Sequence, residues 1–581
     1  MQIFINGKPF EAEAGQTILE AAREHGFHIP TLCFLKECQN TGKCGICRVE
    51  VEGNENLVGA CGTAVEEGMK IRTNSRRVQE AVKAKMEELL TDHNFSCGTC
   101  MRKRDCEFLK LVKLVHARIP DEAARILKER INGEFAEKRD ERSVSIVRDE
   151  SKCIRCGRCV SACHTKSGTD IMQPNGEEGH EIMAPLELKC FDQTGCLLCG
   201  QCVAACPVGA LSEKSSLIQV RKALADPAKH VVVGMAPSVR TALGEAFGYP
   251  YGTDVTGKVY AALRRMNFKK VYDVNFAADM TIMEEGTELI TRIQAGGPFP
   301  MFTSCCPGWI RLVENYYPEL MPNVSSAKSP QQMFGAMTKS YYADTNHIDP
   351  ESVFTVTVMP CTAKKFEAAR REMTDRRGIR DVDAVLDTRE LASLVLDAGI
   401  CFSQLPDEEA DPDMGYYTGA AVIFGATGGV MEAALRTAKD LMEQVSLETV
   451  DYQDVRGLDG VKEAVVKIAG SEYRIAVIHG AANLFHFMES GKLKDKDYHF
   501  IEVMACPGGC VNGGGQPHVS AADRETHNFC KERADVLYRQ DSRLTYRKSH
   551  KNPYILNMYQ EYLGDVGGEK AHSLLHVRYE K

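Results

Sequence analysis

The amino-acid sequence predicts a multidomain α/β protein: three small cysteine-rich modules first, then a larger α/β domain with mainly parallel sheets. Three observations carry that reading. The chain has 581 residues, too many for one hydrophobic core. It has 24 cysteines, most of them in spaced groups ahead of Pro207. From His230 onward, buried-strand patterns alternate with helical ones, as in "HVVVGMAPSVRTAL", "SVFTVTVMPCTAKKFEAARREM", "AAVIFGATGGVMEAALRTAKDLM" and "YRIAVIHGAANLFHFM". That rhythm belongs to largely parallel sheets.

A formal net charge of -9 argues against a nucleic-acid surface, while leaving room for small basic patches that dock an acidic partner. No apolar run is long enough for a membrane helix, and "MQIFINGKPFEAEAGQTILEAAREHG" carries no export signal, so a cytoplasmic protein is expected. Disulfides do not suit a reducing compartment, and a chain this long does not need them. Metal or cluster ligation explains the thiols better.

The first module opens with "IFINGKPF", a hairpin turning at Asn6-Gly7. Thr17 and Glu20 make a capping box for the helix "ILEAAREH", which Gly26 ends. Cys33, Cys38, Cys44, Cys47 and Cys61 follow. Their spacing approaches the C-x4-C-x2-C…C of plant-type [2Fe–2S] ferredoxins, with Cys33 and Cys38 competing for the first place. The second module, "HNFSCGTCMRKRDC", supplies His93, Cys97, Cys100 and Cys106, a set that suits zinc or an iron–sulfur cluster on spacing alone. Neighbouring redox sites favour the cluster. "ARILKERINGEFAEKRDERS" then reads as a solvated connector helix.

The third module is an internal repeat, "CIRCGRCVSAC" and "CLLCGQCVAACP". Both copies follow the C-x2-C-x2-C-x3-C run of two-[4Fe–4S] ferredoxins, in which the fourth cysteine crosses to the other cluster. Cluster A therefore takes Cys153, Cys156, Cys159 and Cys206; cluster B takes Cys163, Cys196, Cys199 and Cys202. The first copy lacks the proline after its fourth cysteine. His164 and Cys190 read as structural, and Cys38, Cys401 and Cys530 have no assigned role.

In the α/β domain, strands end at "TSCC" (Cys305, Cys306), "VMPC" (Cys361) and "VMAC" (Cys506), with Cys510 one short loop beyond. Ligands in such folds bind past the carboxyl ends of strands, so these thiols can converge. "FGATGG" lacks dinucleotide spacing and reads as tight strand–helix packing.

TSCCPGW, VMPCTAKKFEA and MACPGGCVNGGGQ, with "FAADMTIMEEGTELI" and "SSAKSPQQMFG", resemble the signature motifs of [FeFe]-hydrogenases, and the likeness to the large monomeric clostridial type runs essentially end to end. It implies a β-grasp [2Fe–2S] domain at 1–78 held by Cys33, Cys44, Cys47 and Cys61. A His-ligated [4Fe–4S] domain (79–125), a two-[4Fe–4S] ferredoxin-like domain (126–213) and a catalytic H-cluster domain (214–581) follow. The resemblance further implies that Cys306, Cys361, Cys506 and Cys510 hold a [4Fe–4S] cluster. Cys510 would bridge it to a diiron unit with CO, cyanide and aza-dithiolate ligands, inserted by maturation proteins. Lys364 and the Ala236-Pro237-Ser238 turn would hold the cyanides, with Gln331, Met359, Phe424 and Met504 around them. Cys305 would pass protons to the dithiolate amine, relayed through Glu285, Ser325 and Glu288 to Arg292 near the surface; Trp309 would pack beside the site. The implied activity is reversible reduction of protons to dihydrogen with electrons from ferredoxin or flavodoxin, by a chain expected to be a monomer. The rival reading is a non-catalytic electron-transfer or hydrogen-sensing relative.

Overall fold

The computed structural model describes residues 1–119, 121, 124–125, 138–177, 181–444, 451–495 and 497–579. At the N-terminus, β1 (Gln2–Ile5) and β2 (Lys8–Glu11) form the expected hairpin around Asn6-Gly7. With β3 (Arg48–Val51), β4 (Val58–Gly59) and β5 (Lys70–Arg72) they make a five-stranded sheet ordered β2-β1-β5-β3-β4. The Ile18–Glu24 helix packs on it through Ile18, Leu19, Ala21 and Ala22. Its capping box is present as expected: Thr17 accepts from the Glu20 N–H while the Glu20 carboxylate accepts from the Thr17 N–H.

The Arg76–Asp92 helix buries Val78, Val82, Met86 and Leu90, one residue per turn, and delivers His93 at its end. Most of the expected connector helix lies outside the described residues; its last part is not helical, since Arg139–Asp140 is a short strand, β6. β6 pairs with β7 (Ile146–Asp149), and β7 with β10 (Leu211–Glu213), all antiparallel. Between them β8 (Met172–Asn175) and β9 (Ile182–Pro185) form a hairpin. The sequence repeat is also a structural one. The helices Arg158–Ala162 and Gln201–Ala205 each follow a left-handed glycine, Gly157 (φ 76°) and Gly200 (φ 73°).

The large domain holds two four-stranded sheets. One is fully parallel, ordered β12-β11-β14-β15: β11 (His230–Met235), β12 (Lys270–Asp273), β14 (Val353–Met359) and β15 (Ala384–Asp387). The other is ordered β13-β18-β17-β16: β13 (Met301–Phe302), β16 (Val461–Ile468), β17 (Ser471–His479) and β18 (Tyr498–Met504). Only β16 runs antiparallel there. One expected strand is absent. "AAVIFG" is helical, Gly419–Val422 followed by a 3-10 turn. A short buried apolar run suits either state, and buried Asp279 decides it by accepting both the Thr418 N–H (2.8 Å) and hydroxyl (2.6 Å) at the helix start.

Candidate active site and its cluster sites

Strands β11, β13, β14 and β18 end around one cavity of about 80 Å³. β11 leads into Ala236, Pro237 and Ser238; β14 supplies Met359 and Cys361; β18 supplies Met504, Cys506 and, past its turn, Cys510; the segment after β13 supplies Cys305 and Cys306. Gln331, Lys364 and Phe424 complete the wall. Every residue expected at the cluster and around its ligands is therefore brought together. Burial pushes the Cys361 and Cys506 thiols well above the ordinary range and Cys510 up to about 12. Such thiols ionise only beside a strong positive charge, which bound iron provides. The backbone already treats one of them as an acceptor: Ala505 N–H donates to Cys306 Sγ at 3.4 Å.

Lys364 is a buried ammonium. Burial pulls its pKa down, but Glu367 outweighs this and leaves it raised. Its Nζ donates to Cys305 O (3.0 Å), Ser329 Oγ (2.9 Å) and Glu367 Oε2 (2.8 Å). Gln331 Nε2 donates to Lys364 O (3.1 Å) and Glu367 Oε2 (3.0 Å), and Gln331 Oε1 accepts from Thr357 (3.0 Å). Sequence reasoning misses Glu367, although its i,i+3 spacing from Lys364 on one helix announces the pair. Ser238 is fixed on both sides: its hydroxyl donates to Gly425 O (3.3 Å) and its carbonyl accepts from Gln516 Nε2 (2.9 Å). Trp309 is fully buried and donates to Thr303 O (3.0 Å), a packing role.

Cys305 faces the same cavity, and burial followed by the neighbouring Glu285 pushes its thiol well above the usual range. Glu285 is fully buried on the Asn275–Ala295 helix; burial, then Glu288, raises it to about 8. Its Oε1 accepts from Ser304 N–H (3.2 Å), and its Oε2 has no partner. Ser325 Oγ donates to Glu288 Oε2 (2.8 Å), and Arg292 Nη2 pairs with Glu288 Oε1 (2.6 Å). Glu285, Glu288 and Arg292 follow one another along that helix, and Ser325 and Arg292 both hold Glu288.

The outer thiol sets also assemble. Cys33 lies within hydrogen-bonding reach of Cys44 and Cys61, and Cys47 Sγ is 3.3 Å from Cys61 Sγ. Cys38 instead accepts from Thr165 Oγ1 at 3.8 Å, away from that set. His93, Cys97, Cys100 and Cys106 line one small cavity. His93 Nδ1 is buried without a partner and burial lowers the imidazole to about 4, so a neutral nitrogen is offered to a metal. Cys153, Cys156, Cys159 and Cys206 line another cavity, while the Cys202 thiol is raised by burial and then by its neighbours Cys196, Cys199 and Cys163. Backbone N–H groups donate to Cys106, Cys153 and Cys196 at 3.4 Å and to Cys163 at 3.5 Å, as around ligating sulfurs. Cys190 is buried, Cys401 exposed, and Cys530 lies against Gly508. His164 pairs with Asp170 at the surface.

Five family models match the chain. Three lie in its first part: a 2Fe-2S iron-sulfur cluster binding domain (1–76), an iron hydrogenase 1-like iron-sulfur centre-binding domain (77–117) and a 4Fe-4S dicluster domain (152–210). The other two are the C-terminal domain of the iron only hydrogenase large subunit (229–514) and the iron hydrogenase small subunit (527–581). Iron hydrogenase 1 of Clostridium pasteurianum is 56% identical over the whole of both chains. The NADP-reducing hydrogenase subunit HndD of Solidesulfovibrio fructosivorans is 44% identical over 100% of this chain and 99% of its own. A solved structure of [FeFe]-hydrogenase HydA1 from Chlamydomonas reinhardtii aligns with TM-score 0.56 and 40% identity, covering 63% of this chain and 99% of that one.

Proposed function

Since the chain belongs to the iron-only, or [FeFe], hydrogenases, we propose a division of labour among its residues. The enzyme interconverts protons and electrons with dihydrogen, drawing electrons through iron–sulfur domains into an H-cluster domain. Cys306, Cys361, Cys506 and Cys510 hold the [4Fe–4S] half of the H-cluster. Cys33, Cys44, Cys47 and Cys61 hold a [2Fe–2S] cluster, and the His93 set and the two ferredoxin-like sets hold three further [4Fe–4S] clusters. The convergence of four cysteine thiols, Cys305 and Lys364 on one cavity where both sheets end carries this reading. When bound, the clusters supply electron storage and the diiron unit supplies the hydrogen chemistry.

The protein's own part is position and protons. Lys364 presents an ammonium held charged by Glu367, suited to cyanide ligands beside the Ala236-Pro237-Ser238 turn. Cys305 holds a proton at Sγ, Glu285 holds one on its carboxyl up to about pH 8, and the Ser325 hydroxyl, bonded to Glu288, stands beside Glu285 to pass a proton between them. Arg292 fixes Glu288 near the surface. Ferredoxin or flavodoxin is the proposed electron partner, and dedicated maturation proteins the source of the diiron unit. A cytoplasmic setting suits cysteines that must stay reduced to hold clusters; among the described residues no helix is long and apolar enough to cross a membrane.

A second reading, in which the chain is one subunit of a larger complex, is favoured by the end-to-end match to HndD, the subunit of an NADP-reducing hydrogenase. Native mass of the protein isolated from its source separates the two: a monomer excludes it.

The deciding experiment is dihydrogen evolution from reduced methyl viologen, before and after anaerobic incubation with a synthetic diiron precursor. Activity appearing only after incubation is expected. No activity despite confirmed incorporation of both halves would leave an electron-transfer or sensing protein.

A further inference from the structure

The relay opens at Glu288 and Arg292, but Glu288 has a second hydrogen-bonded neighbour. Glu288 Oε2 accepts from the Ser326 N–H (3.0 Å) and from Ser326 Oγ (3.3 Å), besides Ser325. Ser326 Oγ also lies 2.8 Å from His576 Nδ1. His576 Nε2 faces Glu284 Oε2 at 2.9 Å. Glu284 accepts as well from the Tyr559 hydroxyl and the Gly567 N–H (2.9 Å). The unbroken line Glu288–Ser326–His576–Glu284 joins the catalytic helix to the C-terminal segment. Backbone pairing holds its register: Lys328 N–H donates to Leu575 O (2.7 Å) and Val577 N–H to Ser326 O (2.8 Å).

We propose that His576 is a second proton port, exchanging protons with Glu288 through the Ser326 hydroxyl, in parallel with the Arg292 end. This rests on the reading of Glu288 as a proton carrier. The hydroxyl has one hydrogen and two acceptors. With neutral His576 holding its N–H toward Glu284, Nδ1 is an acceptor and competes with Glu288 for that hydrogen. With His576 protonated, Nδ1–H donates to Ser326 Oγ, which turns its hydrogen to Glu288. Transfer then balances: the Nδ1–H bond breaks as a new Oγ–H bond forms, and the former hydroxyl proton moves to Glu288 Oε2. The imidazolium becomes neutral and the carboxylate becomes an acid; nothing is oxidised.

The surroundings suit an exchangeable site. The His576 side chain is 6% exposed, and exposed His572 stacks parallel on it with ring centroids 4.5 Å apart, so the port lies one side chain below the surface. The titratable groups facing it are Glu284 with Tyr559 behind, Glu288 through Ser326, and His572 from its own helix. Lys328, next to the bridge partner Ala327, is committed to Asp381 at 2.8 Å. A protonated imidazole donates through both nitrogens and a neutral one through only one, so transfer through Ser326 depends on which form is present.

The test is the pH profile of dihydrogen evolution by fully matured enzyme with saturating reduced viologen. His576→Gln should lower the rate about threefold to tenfold at pH 6 and little at pH 9, flattening the profile. Ser326→Ala should do the same, which keeps the test decisive if His576→Gln folds poorly. Added to Glu288→Gln, either change should have no further effect. An unaltered profile in both variants would overturn the port, as would an equal loss at every pH or a further loss on top of Glu288→Gln. If Glu288→Gln itself retains full activity, the reading of Glu288 as a carrier fails first.

Discussion

In the proposed relay two side chains hold the protons nearest the cavity, Glu285 and Cys305, and neither is unusual except in where it sits. Glu285 is fully buried and raised from 4.5 to about 8, so the native protein holds its proton where the unfolded chain has released it. The native state binds more protons between those values, so stability falls as pH rises from about 4.5 toward 8. Glu285→Gln should remove that slope, read as the denaturant midpoint at pH 5 and pH 8 on protein without the diiron unit. The same variant should reduce turnover about a hundredfold, because an amide keeps the shape and cannot pass the proton. An unchanged rate would remove Glu285 from the relay. Cys305→Ser should leave cluster spectra intact and suppress turnover by a similar factor, since a hydroxyl gives up its proton far less readily than a thiol. Near-native activity in that variant would take Cys305 off the path.

At the scale of elements, what was legible in the sequence is what is local. The Thr17–Glu20 capping box spans four residues, and each ferredoxin repeat carries its cysteines within eleven, so spacing alone identified them. "AAVIFG" failed because the group that makes it helical, Asp279, lies 139 residues from Thr418. Cys33 and Cys38 were inseparable by spacing, and only the folded loop sets Cys38 aside against Thr165. Glu502 is the strongest case. Fully buried on β18, it accepts from Gly428 N–H and Met431 N–H, both at 2.7 Å, at the start of the Gly429–Glu443 helix. It ties the strand that carries Met504 and Cys506 to the loop that carries Phe424. Glu502→Ala should cost about 2–4 kcal/mol, leaving two buried donors without an acceptor. Urea unfolding checks it, and a loss under about 0.5 kcal/mol would make the cap dispensable.

Across the whole molecule, the proposed cluster sites form a fork with one stem. Thr41, on the loop of the Cys33 set, donates to Cys156 O at 2.7 Å. On the His93 side, Arg102 donates to Cys206 O, and Cys100 Sγ packs so closely on Gly209 that a β-carbon there would meet it at 2.4 Å. Both outer sites therefore abut the Cys153–Cys156–Cys159–Cys206 set. The stem continues inward without slack. Thr362 donates to Leu198 O (2.7 Å), Gln201 to Asn512 O (2.9 Å), and a β-carbon on Gly514 would sit 2.1 Å from Cys199 O. Branches in parallel substitute for one another, whereas sites in series do not. With reduced ferredoxin as donor, Cys33→Ala or Cys97→Ala alone should lower dihydrogen evolution about twofold, and the pair more than tenfold, a non-additive loss. Cys202→Ala, in the stem, should abolish it alone. Spectroscopy of each variant verifies that only the intended cluster is missing. If the double variant keeps its rate with ferredoxin, the donor reaches the stem directly and the outer sites are side branches rather than the way in.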